Sequence, residues 1–124
     1  MTRVVLVEDH DMVAEAIGLA LERAGIEVVA RAFTVAAALA DTGRTRPDVV
    51  LLDRRLPDGD GTAVIPELLA HGARVLVLTG EATASLAARV AEAGGAGLVL
   101  KSARLDELVE AVRKVARGEV VFDQ

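Results

Sequence analysis

Short apolar runs alternate along the chain with segments in which apolar residues recur every three or four positions. A short run rich in branched side chains and bounded by polar or turn residues favours a buried strand over a helix. Five runs of this kind predict five strands, at Val4–Val7, Glu27–Ala32, Asp48–Asp53, Arg74–Thr79 and Gly97–Leu100.

The segments between these runs predict helices, because their apolar residues fall on one side of a helix. The clearest pattern covers Asp11–Ala24, and Gly25 provides a stop. Three further helices are predicted over Val35–Asp41, Thr62–Ala70 and Glu81–Ala93. A last helix is marked by Leu105, Leu108, Val112 and Val115 and is closed by Gly118.

Five strand–helix alternations within residues 1–118 predict one α/β domain, a doubly wound three-layer sandwich with a parallel sheet between two layers of helices. Sheets of this kind bind ligands beyond the carboxyl ends of the strands, where the winding direction switches. We therefore expect the residues that follow each strand to carry the chemistry.

Composition narrows the functional classes. The chain has 124 residues, of which 52% are apolar and 27% charged, as suits a single globular domain. Its only aromatic residues, Phe33 and Phe122, exclude base stacking as a main activity. The absence of cysteine excludes disulfides, thiolate metal sites and cysteine nucleophiles.

Charge and hydropathy add two expectations about partners and location. A net charge of −5 argues against a nucleic-acid clamp, which needs a clustered basic surface. No apolar run is long enough to span a bilayer, and no secretory signal precedes the first strand. We expect a cytoplasmic protein that does not contact membranes.

Ionisable and hydroxyl side chains stand at the predicted strand ends. Glu8 and Asp9 follow the first strand. Asp53 and Thr79 end the third and fourth strands, and Lys101 follows the fifth. Three carboxylates beside one ammonium leave an excess of negative charge that a divalent cation would compensate. Oxygen ligands with room for water favour Mg²⁺ over Ca²⁺.

Each of these residues also has a simpler explanation when it is taken alone. Glu8 and Asp9 could cap the following helix, and Asp53 could begin an Asx-turn. Thr79 could be an ordinary strand terminus, and Lys101 a solvated loop residue. Their joint occurrence at strand ends favours a functional site.

Other polar residues carry weaker signals. Asp58 and Asp60 lie in a turn that lacks the distal glutamate of a calcium loop, so we interpret them as turn residues. His10 and His71 have no third nitrogen or sulfur ligand with which to bind zinc, and His10 is better explained as a helix cap.

Four segments carry a pattern that is specific in its order and spacing: Val4–His10, Val49–Gly61, Val75–Gly80 and Gly94–Ser102. Together they resemble the receiver domain of two-component response regulators over nearly the whole chain. The resemblance implies a flavodoxin-like fold with strand order 2-1-3-4-5. It also implies a signalling domain rather than an enzyme, one that assists its own phosphorylation and dephosphorylation.

The resemblance further implies a role for each strand-end residue. Asp53 would accept a phosphoryl group from a sensor histidine kinase, and Thr79 and Lys101 would hold the phosphoryl oxygens. The implied Mg²⁺ ligands are Asp9, Glu8 through a water molecule, Asp53 and the backbone carbonyl of Arg55. Asp53 must be ionised to attack, and we expect Mg²⁺ and Lys101 to keep its pKa low.

The new acyl phosphate is expected to draw Thr79 and Lys101 toward it. By resemblance, this movement would change the face formed by the fourth helix, the fifth strand and the fifth helix, and the changed face would support a homodimer. Arg55 and Glu81 would flank the entrance to the phosphoryl group, where a guanidinium held across the mouth would slow hydrolysis by water.

Three positions depart from the usual family pattern. Arg54 replaces an aliphatic residue, so the loop packing or a neighbouring acid must differ. Leu98 stands where many receivers carry a switch Tyr or Phe, so it would act through packing. Lys101 is followed by Ser102-Ala103 instead of proline, which is similar to the NarL/FixJ class.

Receivers of that class precede a helix-turn-helix domain. Residues 1–118 would then be the receiver, and residues 119–124 would begin a linker to an output domain outside this chain. DNA binding and control of transcription would belong to that domain alone.

Three alternatives compete with this interpretation. A flavodoxin would need a first loop that accepts a phosphate, and Glu8, Asp9 and Asp11 would repel it. A dehalogenase-type phosphatase needs a second acid two residues after the first, where Arg55 stands. A degenerate receiver, acting as an interaction module without phosphorylation, stays open because of Arg54.

Overall fold

The computed structural model describes residues 1–122, so residues 123 and 124 of the predicted linker lie outside the described residues. Five parallel strands form one sheet in the order β2-β1-β3-β4-β5. They are β1 (Arg3–Val7), β2 (Glu27–Ala32), β3 (Val49–Asp53), β4 (Arg74–Thr79) and β5 (Gly97–Leu100). The predicted fold class and strand order are confirmed.

Five helices cover the two faces of this sheet. They are α1 (Asp11–Arg23), α2 (Val35–Thr45), α3 (Ile65–Ala70), α4 (Ala84–Glu92) and α5 (Leu105–Ala116). Alternate residues of each strand point to opposite faces, so the sheet builds two separate cores. One core packs against α1 and α5, and the other packs against α2, α3 and α4. None of the helices among residues 1–122 combines the length and hydropathy needed to cross a bilayer.

Two helix boundaries differ from the sequence prediction for local reasons. Helix α2 runs on to Thr45 and ends where Arg46 adopts a left-handed conformation with φ of 50°. Helix α4 begins at Ala84, three residues later than predicted, because Thr83 caps it. The Thr83 hydroxyl accepts a hydrogen bond from the amide of Leu86 at 3.0 Å. The residues between Thr79 and Thr83 are thereby left as a loop at the end of β4.

The predicted helix over Thr62–Ala70 is interrupted. A 3₁₀ turn over Gly61–Val64 precedes α3, and Pro66 lies in the first turn of α3, where its missing amide costs nothing. Before this turn, Arg55–Leu56 pairs with Gly59–Asp60 in a short antiparallel hairpin. The hairpin brings the chain back over the end of β3.

The turn aspartates have definite structural roles. The Asp58 carboxylate accepts hydrogen bonds from the amides of Val35 at 2.7 Å and Ala36 at 3.1 Å, and so caps α2 from a distant loop. Asp60 accepts hydrogen bonds from the amide of Thr62 at 2.9 Å and from its hydroxyl at 2.7 Å. Both residues hold the hairpin loop in place beside the carboxyl end of β3.

Candidate functional site

A buried lysine–carboxylate cluster lies at the carboxyl end of the sheet. Asp53 ends β3 with 1% of its surface exposed, and Glu8 follows β1 with none exposed. Lys101 follows β5 and places its Nζ 2.9 Å from Asp53 Oδ2 and 3.2 Å from Glu8 Oε1. The parallel topology therefore brings together three residues that are separated by 45 or more positions in the chain.

The protonation of this cluster depends on burial. Burial raises the pKa of Asp53 to about 6, and the nearby charge of Glu8 adds to the effect, while the hydrogen bond and charge of Lys101 oppose it. Lys101 by itself does not keep this pKa low, because desolvation outweighs the ammonium, and the combined effect of Mg²⁺ and Lys101 stays a prediction. Burial would lower the pKa of Lys101, but Asp53 and Glu8 raise it, so Lys101 stays cationic.

Glu8 is stabilised as a carboxylate by its neighbour His10. Burial alone would raise the pKa of Glu8, but hydrogen bonds from the His10 amide and ring, together with Lys101, lower it. The amide lies 3.0 Å and Nδ1 2.9 Å from Glu8 Oε2. His10 occupies the N-cap position of α1, as predicted, but its side chain binds Glu8 instead of capping the helix.

The acidic side of the cluster has the donor set of a hard divalent cation. Glu8, Asp9, His10 and Asp53 each offer an atom within 4.8 Å of the others. Asp9 Oδ1 is buried without a hydrogen bond, so a ligand of positive charge would satisfy it. The amide of Arg55 lies 3.4 Å from Asp53 Oδ1, which places the Arg55 backbone beside these oxygens. The carboxylate oxygens of Glu8, Asp9 and Asp53 fit Mg²⁺, whereas His10 offers a nitrogen and already bonds Glu8.

An open pocket of about 390 Å³ leads from solvent to Asp53. Thr79 and Lys101 line it, and the exposed residues Arg55 and Glu81 stand at its rim. The two side chains carry opposite charges and could pair across the mouth of the pocket; among residues 1–122 no ion pair joins them, so this pairing stays a prediction. A small phosphoryl donor has room to reach the carboxylate.

Thr79 lies in the same pocket but bonds to its own loop. Its hydroxyl donates to the carbonyl of Glu81 at 3.1 Å and accepts from the amide of Glu81 at 3.3 Å. Its backbone carbonyl accepts from the amide of Lys101 at 2.8 Å, which ties the ends of β4 and β5 together. In this state the hydroxyl holds the loop after β4 rather than Asp53.

Two features of the loop after Asp53 were not foreseen in this form. Arg54 Nε lies 3.6 Å from Asp60 Oδ2, so Asp60 is the neighbouring acid that accommodates the unusual arginine. Burial would raise the pKa of Asp60, but its bonds to Thr62 and the charge of Arg54 lower it. Gly61 packs against the Asp53 carbonyl so closely that a Cβ would overlap it. Neither contact can be read from local sequence, because each depends on how the hairpin folds back.

Leu98, the position that lacks an aromatic ring, is buried on β5 with 3% of its surface exposed. It packs into the core on the α2, α3 and α4 side of the sheet, together with Phe122 from the segment after α5.

Comparison with known proteins agrees with this geometry. The family model of the response regulator receiver domain matches residues 4–113. DevR/DosR of Mycobacterium tuberculosis, named as a DNA-binding transcriptional activator, is 36% identical over 126 residues, covering 99% of this chain and 58% of that protein. The response regulator protein VraR of Staphylococcus aureus is 32% identical over 124 residues, covering 98% of this chain and 59% of that protein.

Solved structures show the same likeness. A two-component response regulator of the LuxR family from Aurantimonas sp. has a TM-score of 0.92 and 32% identity, over 98% of this chain and 89% of that chain. A signal receiver domain named NarL, from Mycobacterium tuberculosis, has a TM-score of 0.90 and 34% identity, over 95% and 98% of the two chains.

This chain spans about 60% of the length of the curated relatives it matches. The family match covers most of residues 1–122 and coincides with the sheet that carries the lysine–carboxylate cluster. The chain therefore belongs to the response regulator receiver domain family, and its relatives are of the NarL/LuxR class.

Proposed function

We propose that the chain accepts a phosphoryl group on Asp53 from the phosphohistidine of a sensor kinase, in a Mg²⁺-dependent reaction. The observation that carries the proposal is the pairing of a buried carboxylate with Lys101 at the floor of an open pocket. A purely structural ion pair has no need of a path from solvent.

The chemistry follows from the groups that surround Asp53. A carboxylate oxygen of Asp53 forms a bond to phosphorus as the bond from phosphorus to the kinase imidazole breaks, and the imidazole leaves with the bonding electrons and takes up a proton. Lys101 donates a hydrogen bond to Asp53 Oδ2 at 2.9 Å, and its positive charge is placed to attract the phosphoryl oxygens. Mg²⁺ held by Asp9, Asp53 and the Arg55 carbonyl, and by Glu8 through a water molecule, would neutralise charge on the carboxylates and the phosphoryl group.

Thr79 supplies the signal that phosphorylation has occurred. Its hydroxyl has one proton to donate, and this proton is held by the Glu81 carbonyl in the present state. A phosphoryl oxygen at Asp53 competes for the same proton and draws Thr79 inward. We propose that this step changes the face of α4, β5 and α5, with Leu98 responding through packing.

The output is proposed from the relatives. DevR/DosR carries a name that describes DNA binding and transcriptional activation, and it extends well beyond the region shared with this chain. We infer that this receiver controls an output domain of that kind, in the cytoplasm, and that DNA is contacted only by that domain. Asp53 is consumed in each transfer and regenerated by hydrolysis, so the chain is a phospho-acceptor that aids its own reactions.

Intact-mass measurement with a small-molecule phosphodonor tests the proposal. We expect one added phosphoryl group in the presence of Mg²⁺, and none with Asp53→Asn, with Asp9→Asn or after chelation of the metal. Glu92→Gln, on the exposed side of α4, is the matched control and should be labelled as the unaltered chain is.

The competing candidate is a receiver that acts as an interaction module without phosphorylation, which the arginine at position 54 suggests. An unlabelled but folded chain under the same conditions would favour it and overturn the proposal above.

A further inference from the structure

The segment after α5 lies along the free edge of the sheet. The amide of Leu98 donates to the Val121 carbonyl at 3.0 Å, and the amide of Val121 donates to the Ala96 carbonyl at 2.8 Å. Gly97 and Val121 thereby form a parallel bridge next to β5. Within residues 119–122, which we call the added strand, Val121 is the residue that pairs with the edge that β5 would otherwise expose, while the amide of Glu119 donates to the Lys114 carbonyl at the end of α5.

Gly97 makes this docking possible. A Cβ at this position would overlap the Val121 carbonyl, so any larger residue would push the added strand away. Gly97 has no left-handed φ, and its small size therefore serves the approach of the segment and not the conformation of β5 itself. A side chain at position 97 is thus a selective way to displace residues 119–122.

Two neighbouring residues of the added strand, Val121 and Phe122, pack against different cores. Val121 packs against the core on the α1 and α5 side, and Phe122 packs against the core on the opposite side. This alternation is the pattern of a true strand, since successive side chains point to opposite faces. The preceding residue Val120 is 68% exposed and contributes little.

Phe122 and the loop that follows Thr79 line a common pocket. The ring lines a pocket of about 170 Å³ with Ala82, Thr83 and Leu98. Gly80 and Glu81, the first residues of the same loop, line the pocket above Asp53. One four-residue loop, residues 80–83, therefore contributes to both pockets, which gives a short path from Asp53 to the pocket beside Phe122.

We propose that residues 119–122 are a detachable edge strand that docks when Asp53 is unphosphorylated and is released when Asp53 is phosphorylated. This release would transmit the phosphorylation of Asp53 to the output domain proposed above. The inference rests on the proposed function. When the Thr79 hydroxyl turns from the Glu81 carbonyl to a phosphoryl oxygen, residues 80–83 shift and change the shape of the pocket that Ala82 and Thr83 share with Phe122. This change weakens the packing of Phe122 and the hydrogen bonds at Leu98 and Val121.

Linkage makes the effect reciprocal. If a phosphoryl group at Asp53 weakens docking, then a variant with weakened docking binds a phosphoryl mimic more tightly, by up to the same factor when docking is lost completely. Gly97→Ala displaces the segment from the edge, and Phe122→Ala removes the ring without altering β5. Neither residue touches Asp53, its metal ligands or Lys101.

The experiment measures amide hydrogen exchange and beryllofluoride affinity with Mg²⁺ present. Beryllofluoride mimics a phosphoryl group on an aspartate. In the unaltered chain we expect it to speed exchange of the Leu98 and Val121 amides. We expect Gly97→Ala and Phe122→Ala to bind it about fivefold or more tightly, and Val120→Ala, in the same segment, to match the unaltered chain.

Two failures can be told apart. If beryllofluoride binds but the Leu98 and Val121 amides exchange unchanged and both variants bind it as the unaltered chain does, the edge strand is not a reporter and the proposed function stands. If beryllofluoride does not bind and a phosphodonor does not label Asp53, the proposed function is wrong and this inference falls with it.

Discussion

At the scale of single residues, Lys101 favours the ionised form of Asp53. It is the cation between two buried carboxylates, 2.9 Å from Asp53 Oδ2 and 3.2 Å from Glu8 Oε1. Burial raises the pKa of Asp53 to about 6, so the carboxylate is still mostly ionised at neutral pH and available as a nucleophile. In this cluster the charge of Lys101 partly offsets the desolvation of Asp53, so the carboxylate keeps the charge that attack on phosphorus requires.

The rim residues are predicted to govern how long the acyl phosphate lasts. Arg55→Ala should speed autodephosphorylation by up to about fivefold, the kinetic equivalent of an exposed interaction of about 1 kcal/mol. Glu81→Ala should shift the rate in the same direction but less, because it acts by holding Arg55 across the approach of water. The decay of labelled protein measures both.

Arg23→Ala, an exposed arginine at the far end of α1, is the control and should decay at the unaltered rate. Unchanged decay in Arg55→Ala and Glu81→Ala would show that the two are independent solvated charges.

Asp58 is predicted to give the fold a defined acid sensitivity. Its bonds to the amides of Val35 and Ala36 lower its pKa, so the folded chain holds this proton less readily than the unfolded chain does. The stability it contributes is complete above the ordinary aspartate pKa of about 3.9 and is lost as pH falls through the lower folded value.

Asp58→Asn should therefore unfold at lower urea than the unaltered chain at neutral pH, and the difference should shrink toward about pH 2 as protonation removes the charge in the unaltered chain. Glu92→Gln, also an exposed acid, should show no such narrowing. If the difference in urea midpoint between Asp58→Asn and the unaltered chain is the same at every pH, the charge of Asp58 does not contribute to capping α2.

At the scale of elements, the hairpin loop after β3 is fitted closely to the phospho-acceptor. Gly61→Ala should lower stability by about 1–3 kcal/mol, because its Cβ would overlap the Asp53 carbonyl and move the end of β3. Labelling of Asp53 should slow in the folded fraction.

Gly18→Ala is the matched control, since the nearest atom to its added Cβ is 3.9 Å away and alanine favours a helix. It should be neutral or slightly stabilising in the same chemical denaturation. Equal stability of Gly61→Ala and the unaltered chain would show that the loop is not fixed to β3.

The elements also show what local sequence can and cannot predict. Asp53 and Lys101 could be placed together because parallel strands share one carboxyl edge, and this was the basis for predicting the site. The cap of α2 by Asp58 and the pair of Arg54 with Asp60 could not, because each joins groups whose approach is set by tertiary folding. The start of α4 was misplaced because periodicity continued through Glu81, while the Thr83 hydroxyl provided the actual cap.

At the scale of the whole molecule, the sheet connects the acidic pocket to the face of α4, β5 and α5. β4 ends in Thr79, and the loop after it leads directly into α4. We predict that phosphorylation favours a homodimer through this face. Sedimentation with beryllofluoride and Mg²⁺ should show the increase in mass. The sedimenting mass of Asp53→Asn should be the same with the mimic as without it.

If the phosphoryl mimic moves amide resonances only near Glu8, Asp9 and Asp53 and leaves residues 82–105 unchanged, the proposed face does not switch. A dimer that forms equally with and without the mimic would show that self-association does not depend on phosphorylation of Asp53.

The most direct test of the account identifies the residue that carries the phosphoryl group. Borohydride reduces an aspartyl phosphate to homoserine, so the chain can be labelled with a phosphodonor and Mg²⁺, reduced, digested and read by mass spectrometry. We predict homoserine at position 53 and at no other aspartate, with the signal lost when the metal is chelated. Homoserine at another aspartate, or a metal-independent label that resists borohydride, would contradict the account.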